Sequence, residues 1–265
     1  VTLPGAVRFD LAPAAGGAPY RIFLRRPAGA APEAGWPVLY LLDGNAVFAT
    51  AVDALRVQEA YPGGTGTARA VLVAVGYPTE APYDALRRGF DLSPPPGRTY
   101  PPFAPGGPEV RTGGAARFLS FLESDLRPAV ARRLPVDAGR QGIYGHSFGG
   151  LFVLYALFNR PEAFTHWVAA SPSVGWEDGI LLRSAERFAA SGGGPAGRRV
   201  LVTVGGCEQE GLVADARRMV ERLRGLAGIE AAFAEVRGET HMSVLPATVS
   251  QAVRFCLGTW PGPGP

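Results

Sequence analysis

Apolar and polar positions fall into blocks short enough to be read one at a time. Trp36-Pro37-Val38-Leu39-Tyr40-Leu41-Leu42 is apolar almost without a break, the pattern of a strand buried on both faces of a sheet. Ala70-Val71-Leu72-Val73-Ala74-Val75 has the same pattern. Shorter strand patterns occupy 7–11, 20–24, 143–144, 167–170, 200–204 and 231–236. Helical spacing runs over 47–59, 115–134, 151–158, 179–189, 212–226 and 245–257. Within 115–134, Phe118, Leu119, Leu122, Leu126 and Val130 share a face, and Pro128 implies a kink or a break.

Strand and helix therefore alternate along most of the chain. That predicts an α/β fold: a mostly parallel central sheet with helices on both faces. Ligands on such sheets sit at the carboxyl ends of the strands. Asp43-Gly44-Asn45, Ser147, Ser171, Glu208 and His241 all follow predicted strands, so they are expected to converge on one edge. A single domain over 1–265 is expected, with no internal repeat.

One stretch breaks the alternation. Residues 79–114 hold Ser93-Pro94-Pro95-Pro96, Tyr100-Pro101-Pro102 and Pro105-Gly106-Gly107-Pro108. Prolines at this density are expected to prevent both helix and central strand. A long irregular segment inside a compact domain is usually functional or disordered. Because it follows a core strand, it reads as a lid or substrate-binding insertion. A solvated excursion with no role is the plainer alternative.

The hydrophobic share of 47% and charged share of 18% are globular values. Net charge is +3, and every basic residue other than histidine is arginine. The arginines are scattered, and no basic stripe suggests nucleic acid. No apolar stretch is long enough to span a bilayer. Cys207 and Cys256 have no metal-ligand spacing and read as buried thiols, with a disulfide left open. No metal and no cofactor is expected. The chain begins Val1-Thr2-Leu3-Pro4 and shows no charged-then-apolar leader. Its start is expected to have been trimmed or cleaved, which leaves cytoplasm and periplasm both open.

The chemistry centres on Gly145-His146-Ser147-Phe148-Gly149, a G-x-S-x-G between a strand pattern and an apolar helix pattern. Such a turn is sharp and lifts the serine hydroxyl clear of both elements. The helix start behind it offers free N–H groups and a positive dipole end. An ordinary tight turn whose serine caps the helix is the bland reading.

A serine hydroxyl is a weak nucleophile at neutral pH and needs a base held by a third group. The chain has 3 histidines. His146 lies inside the motif and is expected to point away from the serine. His166 opens a strand, away from the carboxyl edge. His241, in the loop after the last strand, is the base by elimination and position. The acid should follow the penultimate strand, where Gly205-Gly206-Cys207-Glu208-Gln209-Glu210 stands. Glu208 is preferred as nearer the strand end. Glu210 is the alternative, although a carboxylate at a helix start is favoured without any catalytic role. A tetrahedral oxyanion needs preorganised donors. The N–H of Phe148 is one, and the N–H of Asn45, beside Gly44, is the expected second. Asp43 is expected to tie that loop down.

Taken together, the chain resembles the esterase D branch of the α/β-hydrolase superfamily, and within it the bacterial siderophore esterases that act on enterobactin and salmochelin. The resemblance rests on Leu41-Leu42-Asp43-Gly44-Asn45, Val75-Gly76-Tyr77-Pro78, Arg88-Gly89-Phe90-Asp91-Leu92-Ser93-Pro94, the serine motif, Ser171-Pro172-Ser173 and Gly238-Glu239-Thr240-His241. It implies hydrolysis of serine-linked esters in a catecholate trilactone through an acyl-serine intermediate. The substrate would be a small-molecule ester, a ferric siderophore among the candidates. Because some siderophore esterases work with a serine–histidine dyad, the resemblance leaves the acid open. It also implies a basic residue for an anionic iron complex, with Arg88 the position to test. An internal salt bridge with Asp91 is the equal alternative for Arg88. Trp176 either lines the pocket or is simply buried. A general carboxylesterase or a carbohydrate acyl esterase or acyltransferase keeps the same chemistry with another substrate. A binding protein on the same scaffold would have no need of Ser147 and His241.

Overall fold

The computed structural model describes residues 2–260. In chain order the elements are β1 (Ala6–Leu11), β2 (Tyr20–Arg25), β3 (Trp36–Leu42), α1 (Gly44–Glu59), α2 (Pro62–Thr65), β4 (Val71–Gly76), α3 (Ala85–Asp91), β5 (Thr99–Tyr100) and β6 (Val110–Arg111). They continue with α4 (Ala115–Phe121), α5 (Arg127–Ala131), β7 (Val136–His146), α6 (Phe148–Asn159), β8 (His166–Ala170) and α7 (Trp176–Ala190). The last are β9 (Arg198–Gly205), α8 (Glu210–Arg224), β10 (Ile229–Val236) and α9 (Leu245–Leu257).

An eight-stranded sheet runs in the order β1-β2-β4-β3-β7-β8-β9-β10. β2 is antiparallel to both β1 and β4, and every other pairing in this sheet is parallel. The continuous apolar runs have the central places: all of β3 and β4 is buried. A strand covered by helices on both faces has no polar face to show.

Two apolar layers cover the sheet. On one face α1 and α9 contribute Val52, Leu55, Val249 and Val253. On the other, α4, α6, α7 and α8 contribute Phe118, Phe152, Leu181 and Met219. α6 is buried from Gly149 to Phe158, as expected for a helix apolar all round. Each large side chain sealed there contributes roughly 1.5–3 kcal/mol by leaving water. This helix is therefore a rigid platform for the residue that precedes it.

The boundaries differ from the sequence pattern where packing overrides periodicity. The stretch 115–131 is helical throughout, with a π-turn over Leu122–Leu126. There the Arg127 N–H reaches the Leu122 carbonyl, which lets the helix pass Pro128 without a break. β7 starts at Val136, well before 143: Val136 pairs with Trp36, and after a register shift the ladder resumes with Gln141 opposite Val38. α7 opens with Glu177, Asp178 and Gly179 at φ of 50°, 52° and 75°, so regular helix begins after them, where the periodicity starts.

The proline-rich insertion is not wholly irregular. It holds the seven-residue helix α3 and the short β5–β6 hairpin. α3 forms between the prolines, capped by the Asp84 carboxylate, which accepts from the Arg87 N–H at 3.1 Å. Both cysteines are free; Cys256 is buried, whereas Cys207 is exposed because it sits in the turn after β9. No helix among the described residues is long and apolar enough to cross a membrane.

Candidate active site

Ser147 joins β7 to α6 with φ 59° and ψ −115°, a conformation that L-residues rarely adopt. The turn closes tightly: a Cβ on Gly145 would lie 2.3 Å from the Gly149 carbonyl oxygen. The Ser147 N–H donates to the Ala170 carbonyl at 2.9 Å, and its own carbonyl accepts from Leu151 at 2.9 Å. Strand β8 and helix α6 thus hold the strained residue from both sides.

His241 comes from the loop after β10, and its Nε2 lies 3.1 Å from Ser147 Oγ. Its Nδ1 lies 2.7 Å from Glu208 Oε2. A carboxylate at Nδ1 selects the tautomer with the proton there, so Nε2 is left to accept from the serine hydroxyl. The Glu208 side chain is 1% exposed. Its second oxygen, Oε1, accepts from Ser171 Oγ at 2.5 Å and from the Gly205 N–H at 2.6 Å. Burial opposes the charge of Glu208, but the hydrogen bonds from His241, Ser171 and Gly205 outweigh it and hold the carboxyl below its usual range. Glu210 is the first residue of α8 and takes no part in this relay.

His146 turns its ring nitrogen to the His241 backbone rather than to the serine hydroxyl. It lines the same cavity as Ser147, and its Nε2 is 2.8 Å from the His241 carbonyl oxygen. Burial pushes its imidazole down to about 4, with the His241 charge adding to the effect. The neutral ring therefore donates to the backbone that carries His241. His166 sits at the far end of β8, bonded through Nδ1 to Thr165 Oγ1 at 2.9 Å.

The cavity at Ser147 measures about 230 Å³ and is lined by Tyr83, Ala85, Arg88, His146, Ser147 and Met242. Roomier clefts of about 520 and 700 Å³ lie elsewhere and contain neither Ser147 nor His241, so volume alone does not locate the chemistry. α3 supplies Ala85 and Arg88 to the cavity wall.

Arg88 is paired, but with Asp43 rather than Asp91. Its Nε and Nη2 each donate to an Asp43 carboxylate oxygen at 2.9 Å, a bidentate clamp. Asp91 lies elsewhere, buried, with Oδ2 unpartnered; burial raises its carboxyl to about 6, against the opposing influence of the neighbouring Tyr20, Arg87 and Tyr77. Asn45 uses its carboxamide to hold the β4 end: Nδ2 donates to the Tyr77 and Thr79 carbonyls at 3.1 and 2.8 Å. Oδ1 accepts from the Tyr77 N–H at 2.9 Å. Asn45 and Phe148 both lie in the first turn of a helix, where N–H groups have no acceptor within the helix. Trp176 is half-buried against the Phe148 ring, edge to face at 4.7 Å, and does not line the cavity at Ser147.

Comparison with known proteins agrees with this geometry. The Esterase family model matches residues 14–221. The chain belongs to the Esterase family. This esterase is 40% identical over 247 residues to the ferri-bacillibactin esterase BesA of Bacillus subtilis, a match covering 90% of the chain and 84% of BesA. Among solved structures it superposes on the BES protein of Bacillus cereus with a TM-score of 0.90, at 33% identity and 98% coverage of both chains. The siderophore hydrolase EstB of Aspergillus nidulans gives a TM-score of 0.81 at 31% identity, covering 100% of this chain and 99% of that one. The esterase has the α/β-hydrolase fold.

Sequence reasoning missed three features of the esterase's site. Ser171 holds Glu208, His146 holds the His241 backbone, and Asp43 holds Arg88. Two of them had a signal: Ser171 stands at a predicted strand end within Ser171-Pro172-Ser173, and Asp43 follows the 36–42 strand, where it is expected to tie the loop down, though not to Arg88.

Proposed function

We propose that this esterase hydrolyses the ester bonds of a siderophore through an acyl-enzyme on Ser147. The supporting observation is the Ser147–His241–Glu208 relay, in a chain 40% identical to a ferri-bacillibactin esterase. In this reading His241 Nε2 takes the hydroxyl proton as Ser147 Oγ attacks the ester carbonyl. Glu208 keeps the imidazole in the required tautomer and stabilises its positive charge. The Phe148 and Asn45 N–H groups would receive the oxyanion. Collapse of the tetrahedral intermediate expels the alcohol, which leaves with the proton from His241. Water then attacks the acyl-serine by the same route, with the proton again passing through His241.

The cavity of about 230 Å³ holds one acyl arm, so the bulk of such a substrate would lie outside it, against the insertion that carries Tyr83 and Arg88. The insertion over 79–114 serves as a substrate-binding wall of a single catalytic domain. With two of its donors engaged by Asp43, Arg88 contributes a largely neutralised surface there rather than a free anion clamp. Turnover of a ferric tricatecholate trilactone, its iron-free form and a p-nitrophenyl ester tests the assignment. The expected order places the trilactones first in kcat/KM. A preference for short acyl esters would argue for a general carboxylesterase.

A further inference from the structure

Ser171 is fully buried, is not a glycine, and has φ 43°. A buried left-handed serine persists only where its surroundings over-determine it, and such residues gather at functional sites. Its surroundings are specific. The Ser171 N–H donates to the Thr203 carbonyl on β9 at 2.6 Å, and its Oγ donates to Glu208 Oε1 at 2.5 Å.

The same turn also holds the nucleophile. Ala170, just before it, accepts from the Ser147 N–H at 2.9 Å, and the Ser173 N–H donates to the Ser147 carbonyl at 3.4 Å. Pro172 packs so close to the serine helix that a Cβ on Gly150 would lie 3.0 Å from Pro172 Cα. One short turn therefore touches the nucleophile's backbone on one side and the acid's carboxylate on the other. The two are far apart in sequence and also meet through His241.

We propose that Ser171 is a positioning residue: the Ser171-Pro172-Ser173 turn sets the acid relative to the nucleophile, and the strained φ aims its hydroxyl at Glu208. This rests on the assignment of Ser147, His241 and Glu208 made above. The geometry favours it over a purely structural serine, because a glycine would relieve the strain and keep the backbone bonds. Only the hydroxyl requires a side chain here.

The test compares Ser171→Gly and Ser171→Ala with Glu208→Gln, Ser171→Gly/Glu208→Gln and Ser147→Ala, measured on a p-nitrophenyl ester. Ser171→Gly relaxes the positive φ, which offsets part of the stability lost with the hydroxyl, so it should stay folded by circular dichroism and decides the matter even if Ser171→Ala folds poorly. Both single variants at position 171 should lose roughly 10- to 100-fold in kcat, the range for a hydrogen bond to a charged group, with KM little changed. The acid limb of kcat/KM should move to higher pH, because the Glu208 carboxylate loses one of the donors that hold it below its usual range. In the Glu208→Gln background, Ser171→Gly should cost almost nothing more. Wild-type kcat and an unmoved limb in Ser171→Gly would overturn the proposal. Activity retained in Ser147→Ala would instead remove the reading on which it rests.

Discussion

The Arg88 guanidinium and the Asp43 carboxylate meet through two parallel hydrogen bonds of 2.9 Å, with only 15% and 4% of their side chains exposed. Asp43 has φ 54° and immediately precedes the first turn of α1. Helix α3 of the insertion is thereby fastened to the turn that carries Asn45. Arg88→Met leaves a buried carboxylate without its partner and should destabilise the fold by about 3–5 kcal/mol. Adding Asp43→Asn removes the orphaned charge, so the double variant should recover much of that loss. Urea unfolding of the two variants checks this; equal stability losses in both would contradict it.

Glu208 and Glu210 should separate cleanly. Glu208→Gln keeps the size but loses the charge and the tautomer preference at His241, and kcat should fall roughly 100-fold or more. Glu210 opens α8, and Glu210→Gln should stay within about twofold. Steady-state kinetics of both variants at one pH is sufficient.

Crowding at the serine turn gives a third expectation. A Cβ on Gly150 would meet the Ala170 carbonyl oxygen at 2.9 Å and Pro172 Cα at 3.0 Å, neither on a flexible side chain. Gly150→Ala should therefore cost about 1–3 kcal/mol and shift the serine turn. Thermal melting and kcat should fall together.

Stability should also depend on pH with a definite sign. Burial first, helped by neighbouring charge, lowers His146 and His166 to about 4 each. Between about 4 and 6.5 the unfolded chain binds protons at both that the folded chain refuses, so stability should fall as pH drops through that window. Asp91 acts in the opposite sense, since its raised carboxyl, at about 6, takes a proton in the folded state first. Glu208, held below its usual range, adds to the histidines at the acid end of the window, so Asp91 is outweighed. Replacing His166 with Gln should flatten the decline, as measured by chemical denaturation at pH 7 and 4.5.

Much of this arrangement was legible before any coordinates. Continuous apolar runs at 36–42 and 70–75, short and rich in Val and Leu, carry the pattern of strands buried on both faces, and a G-x-S-x-G between strand and helix patterns has few other readings. With so few histidines, elimination could point to His241. Helix α3 was hidden because the prolines around it dominate the composition, while its own evidence is a single capping aspartate. The partner of Arg88 lies 45 residues away, and pairing across elements leaves no periodic trace. His146 illustrates the same limit: motif geometry describes the turn, but the backbone of a loop 95 residues on decides what the ring touches.

The central assignment is tested most directly by labelling the protein with an active-serine fluorophosphonate and mapping the modified peptide. The expected result is one adduct, on Ser147, with Ser147→Ala folded, unlabelled and unable to hydrolyse esters. An adduct on another serine, or an Ser147→Ala variant that still cleaves esters at the wild-type rate, would contradict it.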